Sequence, residues 1–260
     1  MAELSVIFDN LHIYIFVFVR MSAIILFNPV FSRRNLITAA KLGLILCLTV
    51  LITPLVPVTD FDGTTLDFLI CIAREFFVGF ILCFVFNIYY YMLMFAADIM
   101  DTQFGFSMAK VMDPQTNIQS ATVGNLMNIV FMLYFFVTNS HLILIDTAVH
   151  SYDVIGAGAA GISIKGACSF GIDLFSSVCL LAIRLALPFV AAEFVLEVSM
   201  GLLMKLIPQI HVFVIEMQGK LLLAIIMLMA LAVPITNFVD NYITQMFVSL
   251  QDSLKAMMIT

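Results

Sequence analysis

The sequence offers few residues whose type and spacing could do chemistry. Gly156, Gly158 and Gly161 form a literal GxGxxG. In a dinucleotide-binding fold this turn joins a strand to a helix, and the pyrophosphate rests on the helix N-terminus. Here GAGAAG follows a long apolar stretch with no strand before it, and Asp173 lies nearer than the acid such a site needs. A flexible Ala/Gly connection between helices fits better. His141, Asp146 and His150 are a second cluster. Asp146 and His150 share a helix face, whereas His141 falls off it. Two ligands do not close a metal site, so a hydrogen-bonded pair at a helix end is expected. No Ser-His-Asp, Cys-His or paired-carboxylate pattern and no GK[ST] phosphate loop is present. The expectation is a chain without catalytic residues, metal or cofactor.

Four charged residues are more telling because of where they sit. Arg20 interrupts one apolar run, and Arg184, Glu193 and Glu197 interrupt another. An ionised side chain at mid-bilayer costs about 2.5–3.5 kcal/mol on insertion scales. Each of the four therefore needs a polar partner, a wet path or a place outside the hydrocarbon. Glu193 and Glu197 share one helix face, continued by Gly201 and Lys205. Such a stripe on an apolar helix reads as a seam between helices, and Arg20, Arg184, Glu193 and Glu197 are the expected intersubunit polar contacts.

The elements that must hold these charges are greasy throughout. Of 260 residues, 63% are apolar and 11% charged, against about 25% charged in soluble domains. Water cannot be the main neighbour of such a surface. The net charge of −6 is scattered and contains no basic run, which excludes a nucleic-acid face. Five cysteines lie in or beside apolar runs without metal spacing, as packing residues do. Glu3 and Asp9 stand where a leader peptide would be basic, so the first helix is expected to be retained.

Six apolar runs are legible: Leu11–Phe31, Leu42–Thr59, Phe76–Ala97, Pro114–Ile145, Leu174–Met204 and Leu221–Val239. The fold class is all-α, a polytopic membrane protein of helical hairpins. Arg33, Arg34 and Lys41 put the first connection on the cytoplasmic side, and Asp60, Asp62 and Asp67 put the next outside. Between the third and fourth runs lies DIMDTQFGFSMAKVMDPQTNIQ, too long for a plain helix connection and too apolar for an exposed one. Gly105 between Phe104 and Phe106 supplies a flexible point, and Asp113-Pro114 marks a turn. Met108 and Met112 are deformable side chains suited to a narrow seal.

At this segment a family resemblance becomes specific. DTQFGFSMAKVMDPQ, with Asp101, Gly105, Ser107, Ala109, Asp113 and Pro114, resembles the FliR family of flagellar export-gate proteins and their injectisome equivalents. The likeness extends to Arg20 and Pro29 in RMSAIILFNPVF, and to Glu75 and Gly79 in REFFVGF. It continues through TNSHLILIDTAVHSY, Ala186–Pro188 and GLLMKLIPQIHVFVI, which carries Pro208, Gln209, Val212 and Phe213. Ser32-Arg33 and His211 depart from the pattern.

The resemblance implies a subunit of the flagellar type III export gate in the bacterial inner membrane, within the flagellar basal body. Residues 1–165 would be FliP-like and 166–260 a FliQ-like hairpin. Partners would be FliP-like and FliQ-like subunits, a FlhB-like export switch protein and unfolded export substrates. It also implies a pore plug at 105–119, involving Phe104, Gly105, Phe106, Ser107, Met108, Met112, Asp113 and Pro114. Pro208 and Gln209 would form a turn at the cytoplasmic entrance. Alternatives are an injectisome gate, and a stand-alone secondary transporter using Arg184, Glu193 and Glu197 as an ion-coupled site.

Overall fold

The computed structural model describes residues 11–32, 37–57, 64–105, 122–158, 163–207 and 212–258. Outside them fall Arg33, Arg34, Asp60, Asp62, Phe106, Ser107, Met108, Met112, Asp113, Pro114, Gly161, Pro208, Gln209 and His211. Eight α-helices make up the described chain: α1 (Leu11–Leu26), α2 (Thr38–Ile52), α3 (Thr65–Gln103), α4 (Thr122–Val137), α5 (Ser140–Val154), α6 (Ile164–Leu206), α7 (Val212–Ala230) and α8 (Ala232–Met257). A 3₁₀ turn, Thr53–Leu55, extends α2. Three spans are long and apolar enough to cross a membrane: Thr38–Leu55, Thr65–Gln103 and Ile164–Leu206. The number is up to five if the broken pairs α4 with α5 and α7 with α8 each count as one.

Two of the six apolar runs are thus interrupted, for local reasons. The fourth breaks at Asn139, whose φ of 56° is left-handed, a conformation that a short polar side chain tolerates better than a β-branched one. The sixth breaks at Leu231, three residues before Pro234. Proline has no N–H, so the Ala230 carbonyl loses its helical donor, while Ile235 still donates to the Leu231 carbonyl at 2.8 Å. Pro188 lies inside α6 without ending it. The third and fifth runs prove to be pieces of longer helices, of 39 and 43 residues.

Packing divides the chain into two compact units that interleave along the sequence. Unit 1 takes 1–89, 139–175 and 244–260; unit 2 takes 90–138 and 176–243. In unit 1, α1 is buried on a broad face that includes Phe16, Val17, Met21 and Ile24; Val78, Leu82 and Phe86 of α3 are buried too, and Gly79 of α3 meets Arg20 and Ala23 of α1. Helix α2 buries only a narrow stripe, Ile45, Thr49 and Ile52, and leaves Leu46, Val50 and Leu51 exposed. Water is a poor neighbour for that face, and lipid or another subunit is a good one. In unit 2, α4 buries Val123, Met127, Phe131 and Phe135 at four-residue spacing. Tyr90 meets Phe131 edge-on at 5.5 Å, and its hydroxyl donates to Asn128 Oδ1 at 3.2 Å.

Candidate functional site

Both units hold polar groups among their apolar helices. In unit 1 the centre is Arg20, fully buried in α1. Its Nε donates to Glu75 Oε2 at 2.7 Å, its Nη1 to Ser151 Oγ at 3.0 Å and its Nη2 to the Ile155 carbonyl at 3.0 Å. The guanidinium lies 4.0 Å over the Tyr152 ring, a cation–π contact. Glu75 Oε1 accepts the Gly158 N–H at 2.8 Å. The backbone of Gly158 has φ 71°, which costs a glycine little, and its carbonyl accepts the Cys71 thiol at 3.6 Å. Three helices and the turn after α5 are thereby clasped around one ion pair.

The glycine at the next helical turn of α3 completes the arrangement. A Cβ on Gly79 would sit 2.5 Å from the Arg20 carbonyl and 2.9 Å from Ala23 Cβ. Glu75 thus takes the side chain of Arg20, and Gly79, four residues on, admits its backbone. Within the GxGxxG stretch, Gly158 serves as a hydrogen-bond donor to a buried carboxylate. Arg20, expected at a subunit boundary, finds all these partners inside its own unit.

In unit 2, Asp101 is fully buried on α3 and caps a different helix. Its Oδ1 accepts the Val123 N–H at 3.0 Å and its Oδ2 the Gly124 N–H at 3.3 Å, at the first turn of α4. Helix N-termini leave such donors unpaired, and a carboxylate suits both the amides and the dipole. Phe104 is buried and meets Phe189 of α6 edge-on at 5.7 Å. Gly105, with φ 74°, takes the left-handed position just past the end of α3. The described start of the 105–119 segment is therefore anchored. Its other expected residues, from Phe106 to Pro114, lie outside the described chain.

Arg184, Glu193 and Glu197 of α6 are also in unit 2. Lys220 Nζ on α7 donates to Glu197 at 2.5 Å and lies 3.4 Å from Glu216. A Cβ on Gly219 would be 3.6 Å from Leu196 Cδ1, so α6 and α7 pair side by side around the 208–211 connection. Glu193 is fully buried, and neither carboxylate oxygen has a hydrogen-bond partner among the described residues. Arg184 is exposed, with exposed Leu180, Ile183 and Leu187 around it.

Asp146 and His150 sit on the surface, whereas His141 is half-buried. His150 Nδ1 lies 3.0 Å from Asp153 Oδ2, and Nε2 lies 3.7 Å from Asp146 Oδ2, all three side chains being mostly exposed. Asp153 was missed by the sequence reading, as were Ser151, Tyr152 and the Ile155 carbonyl around Arg20. No group of three or more possible metal ligands occurs among the described residues, and all five cysteines are free thiols.

Long apolar helices, a buried ion pair, no cleft of convergent catalytic groups among the described residues, and a large uncovered apolar surface define a polytopic helical membrane protein. The comparison with known families places it. Residues 11–246 match the model of "Bacterial export proteins, family 1", and the chain belongs to that family. It is 26% identical over 242 residues to the flagellar biosynthetic protein FliR of Escherichia coli K12, covering 93% of this chain and 92% of that one. It is 26% identical over 229 residues to FliR of Bacillus subtilis strain 168, covering 85% and 86%. Over 215 residues it is 28% identical to the Yop proteins translocation protein T of Yersinia pestis, covering 80% and 81%. The resemblance read from DTQFGFSMAKVMDPQ and its companions is thus met across nearly the whole chain.

Proposed function

We propose that the chain is a subunit of a flagellar type III export gate, forming a conduit for unfolded substrates together with FliP-like and FliQ-like subunits and a FlhB-like switch protein. Membership of the export family over residues 11–246 carries this reading, supported by the similarity to flagellar FliR proteins over four-fifths or more of both chains. The setting is the inner membrane at the flagellar basal body. The energy comes from partners, and the chain itself catalyses nothing. Residues 1–165 are the FliP-like part and 166–260 the FliQ-like hairpin. The pairing of Glu197 with Lys220 and of Leu196 with Gly219 across the 208–211 connection supports a hairpin there, with Pro208 and Gln209 as its entrance turn.

Segment 105–119 is the plug of the pore. Asp101, Phe104 and Gly105 supply its fixed base. Arg184, Glu193 and Glu197 make the contacts to neighbouring subunits. An exposed arginine on an apolar helix and a buried carboxylate without a described partner are what a missing neighbour would leave behind.

Deleting the gene in its own host is the direct test. Loss of motility and of secreted flagellar subunits is expected, both restored by the intact gene. Unchanged motility overturns the flagellar reading. The similarity to Yop translocation protein T gives an injectisome gate as the second reading, favoured if effector secretion is lost while motility persists. Deleting 105–119 should raise small-solute leakage in cells making the whole gate; unchanged permeability removes the plug.

A further inference from the structure

Unit 1 contains an apolar groove that its own packing leaves unfilled. The cavity is about 530 Å³ and nearly all its lining is apolar, within the usual range for ligand sites. Helix α3 lines it with Phe77, Ile81 and Phe84; α6 lines it with Cys168, Ile172 and Phe175. Gly158, six positions before α6 begins, lies against Cys71, and a Cβ built on Gly171 of α6 would lie 3.9 Å from Phe84. From Gly158 to Gly171 the chain therefore advances in the same direction as α3.

That register fixes where the nearest cations fall. Arg74 stands one turn before Phe77 on the same face of α3, and Lys165 one turn before Cys168 on the same face of α6. Both are at one end of the groove. Arg74 is half-buried and Lys165 exposed, and neither has an ion-pair partner among the described residues. Nearby carboxylates are already engaged: Glu75 by Arg20 and Gly158, and Asp67 by the Thr64 amide and hydroxyl. Both helices are long and apolar enough to cross a membrane, and the greasy slot ends in two positive charges whose long stems can reach an interface.

We propose that this groove is a binding site for an anionic phospholipid, one acyl chain lying between Phe77 and Phe175 and the phosphate held by Arg74 and Lys165. Charge complementarity selects the headgroup, as in other basic pockets between membrane helices. Size argues for an acyl chain over a partner helix. The eight-residue walls are about 12 Å long, and a helix 10 Å across would fill on the order of 900 Å³ over that length. A helix would rest on the groove; a hydrocarbon chain fits inside.

The chain has no tryptophan, so Phe84→Trp in the full chain gives a single fluorophore in the groove wall. Reconstituted into vesicles, it should be quenched by brominated-acyl phosphatidylglycerol with an apparent affinity about fivefold or more above that of brominated phosphatidylcholine. Adding Arg74→Gln and Lys165→Gln should bring the two lipids to parity, with both still quenching. Equal quenching with both cations in place overturns the headgroup site. Absence of quenching by either lipid overturns the site altogether and indicates a protein occupant. A second readout keeps Phe84 native. Cys168 and Cys47 are exposed thiols, so in Cys47→Ser protein phosphatidylglycerol should slow alkylation of Cys168 by N-ethylmaleimide several-fold more than phosphatidylcholine does. Equal rates in the two lipids count against the proposal.

Discussion

The two polar constellations differ in how completely they are satisfied. Around Arg20 every nitrogen of the guanidinium has an acceptor and both Glu75 oxygens have donors. Around Glu193, in unit 2, the carboxylate is as deeply buried but has no described partner, and Lys220 is already shared by Glu197 and Glu216. Burying a charge is tolerable only when the surrounding groups replace water. Unit 1 supplies that replacement from its own chain. Unit 2 does not, and Phe194, Val195, Val198 and Leu202 are exposed around the deficit. The contrast separates a charge satisfied within its own unit from a buried carboxylate with no described partner, the state that the proposed intersubunit contact would explain.

The comparison breaks first if the clasp proves dispensable. Glu75→Gln leaves the Arg20 charge buried without its counter-ion and should cost about 3–5 kcal/mol, read as a lowered Tm of the detergent-purified chain. The paired change Arg20→Met with Glu75→Leu should recover much of that loss; no recovery would show that the hydrogen bonds to Ser151 and Ile155 matter more than the charge. Gly79→Ala should cost about 1–3 kcal/mol, because the obstacle is the Arg20 backbone carbonyl, which cannot rotate away. Asp101→Ala should cost about 1–2 kcal/mol and speed hydrogen exchange at the Val123 and Gly124 amides. The smallest effect should come from unit 2. Glu193→Gln removes no described hydrogen bond, so the isolated chain's stability should change by less than about 1 kcal/mol, while the yield of complex with the smaller subunits falls. A large drop in isolated-chain stability would erase the distinction between the units.

Much of this was legible in the residues. Too few charges for a watery surface, together with six apolar runs, gave the all-α membrane class. The need of Arg20 for a partner followed from its place in an apolar run. Its partner did not, because Glu75, Ser151 and Gly158 are brought together only by packing across long sequence separations. The breaks at Asn139 and Leu231 were hidden for another reason: hydropathy continues through them, and only backbone geometry registers a left-handed residue or a lost proline donor. The glycine stretch after α5 was rightly expected to be a connection, but nothing local marked Gly158 as the donor to a carboxylate 83 positions away. The base of the 105–119 segment was partly readable, since a phenylalanine and a glycine at a helix end invite burial and a left-handed cap. Asp101 as the cap of α4 was not, since the helix it serves begins more than twenty residues later.

The 39 and 43 residues of α3 and α6 have a final consequence. At 1.5 Å per residue these rods measure roughly 58 and 64 Å, about twice the 30 Å of hydrocarbon in a bilayer. Overhangs of roughly 28 and 34 Å are too great for tilting alone to absorb. Yet both extremities are oily: Leu66 and Leu69 at one end of α3 with Tyr91 and Phe95 toward the other, and Ile164 and Leu206 at the two tips of α6. One bilayer cannot cover both extremities at once, and water is a poor neighbour for the one left outside. A proteinaceous collar must stand beyond the membrane plane to shelter the protruding lengths.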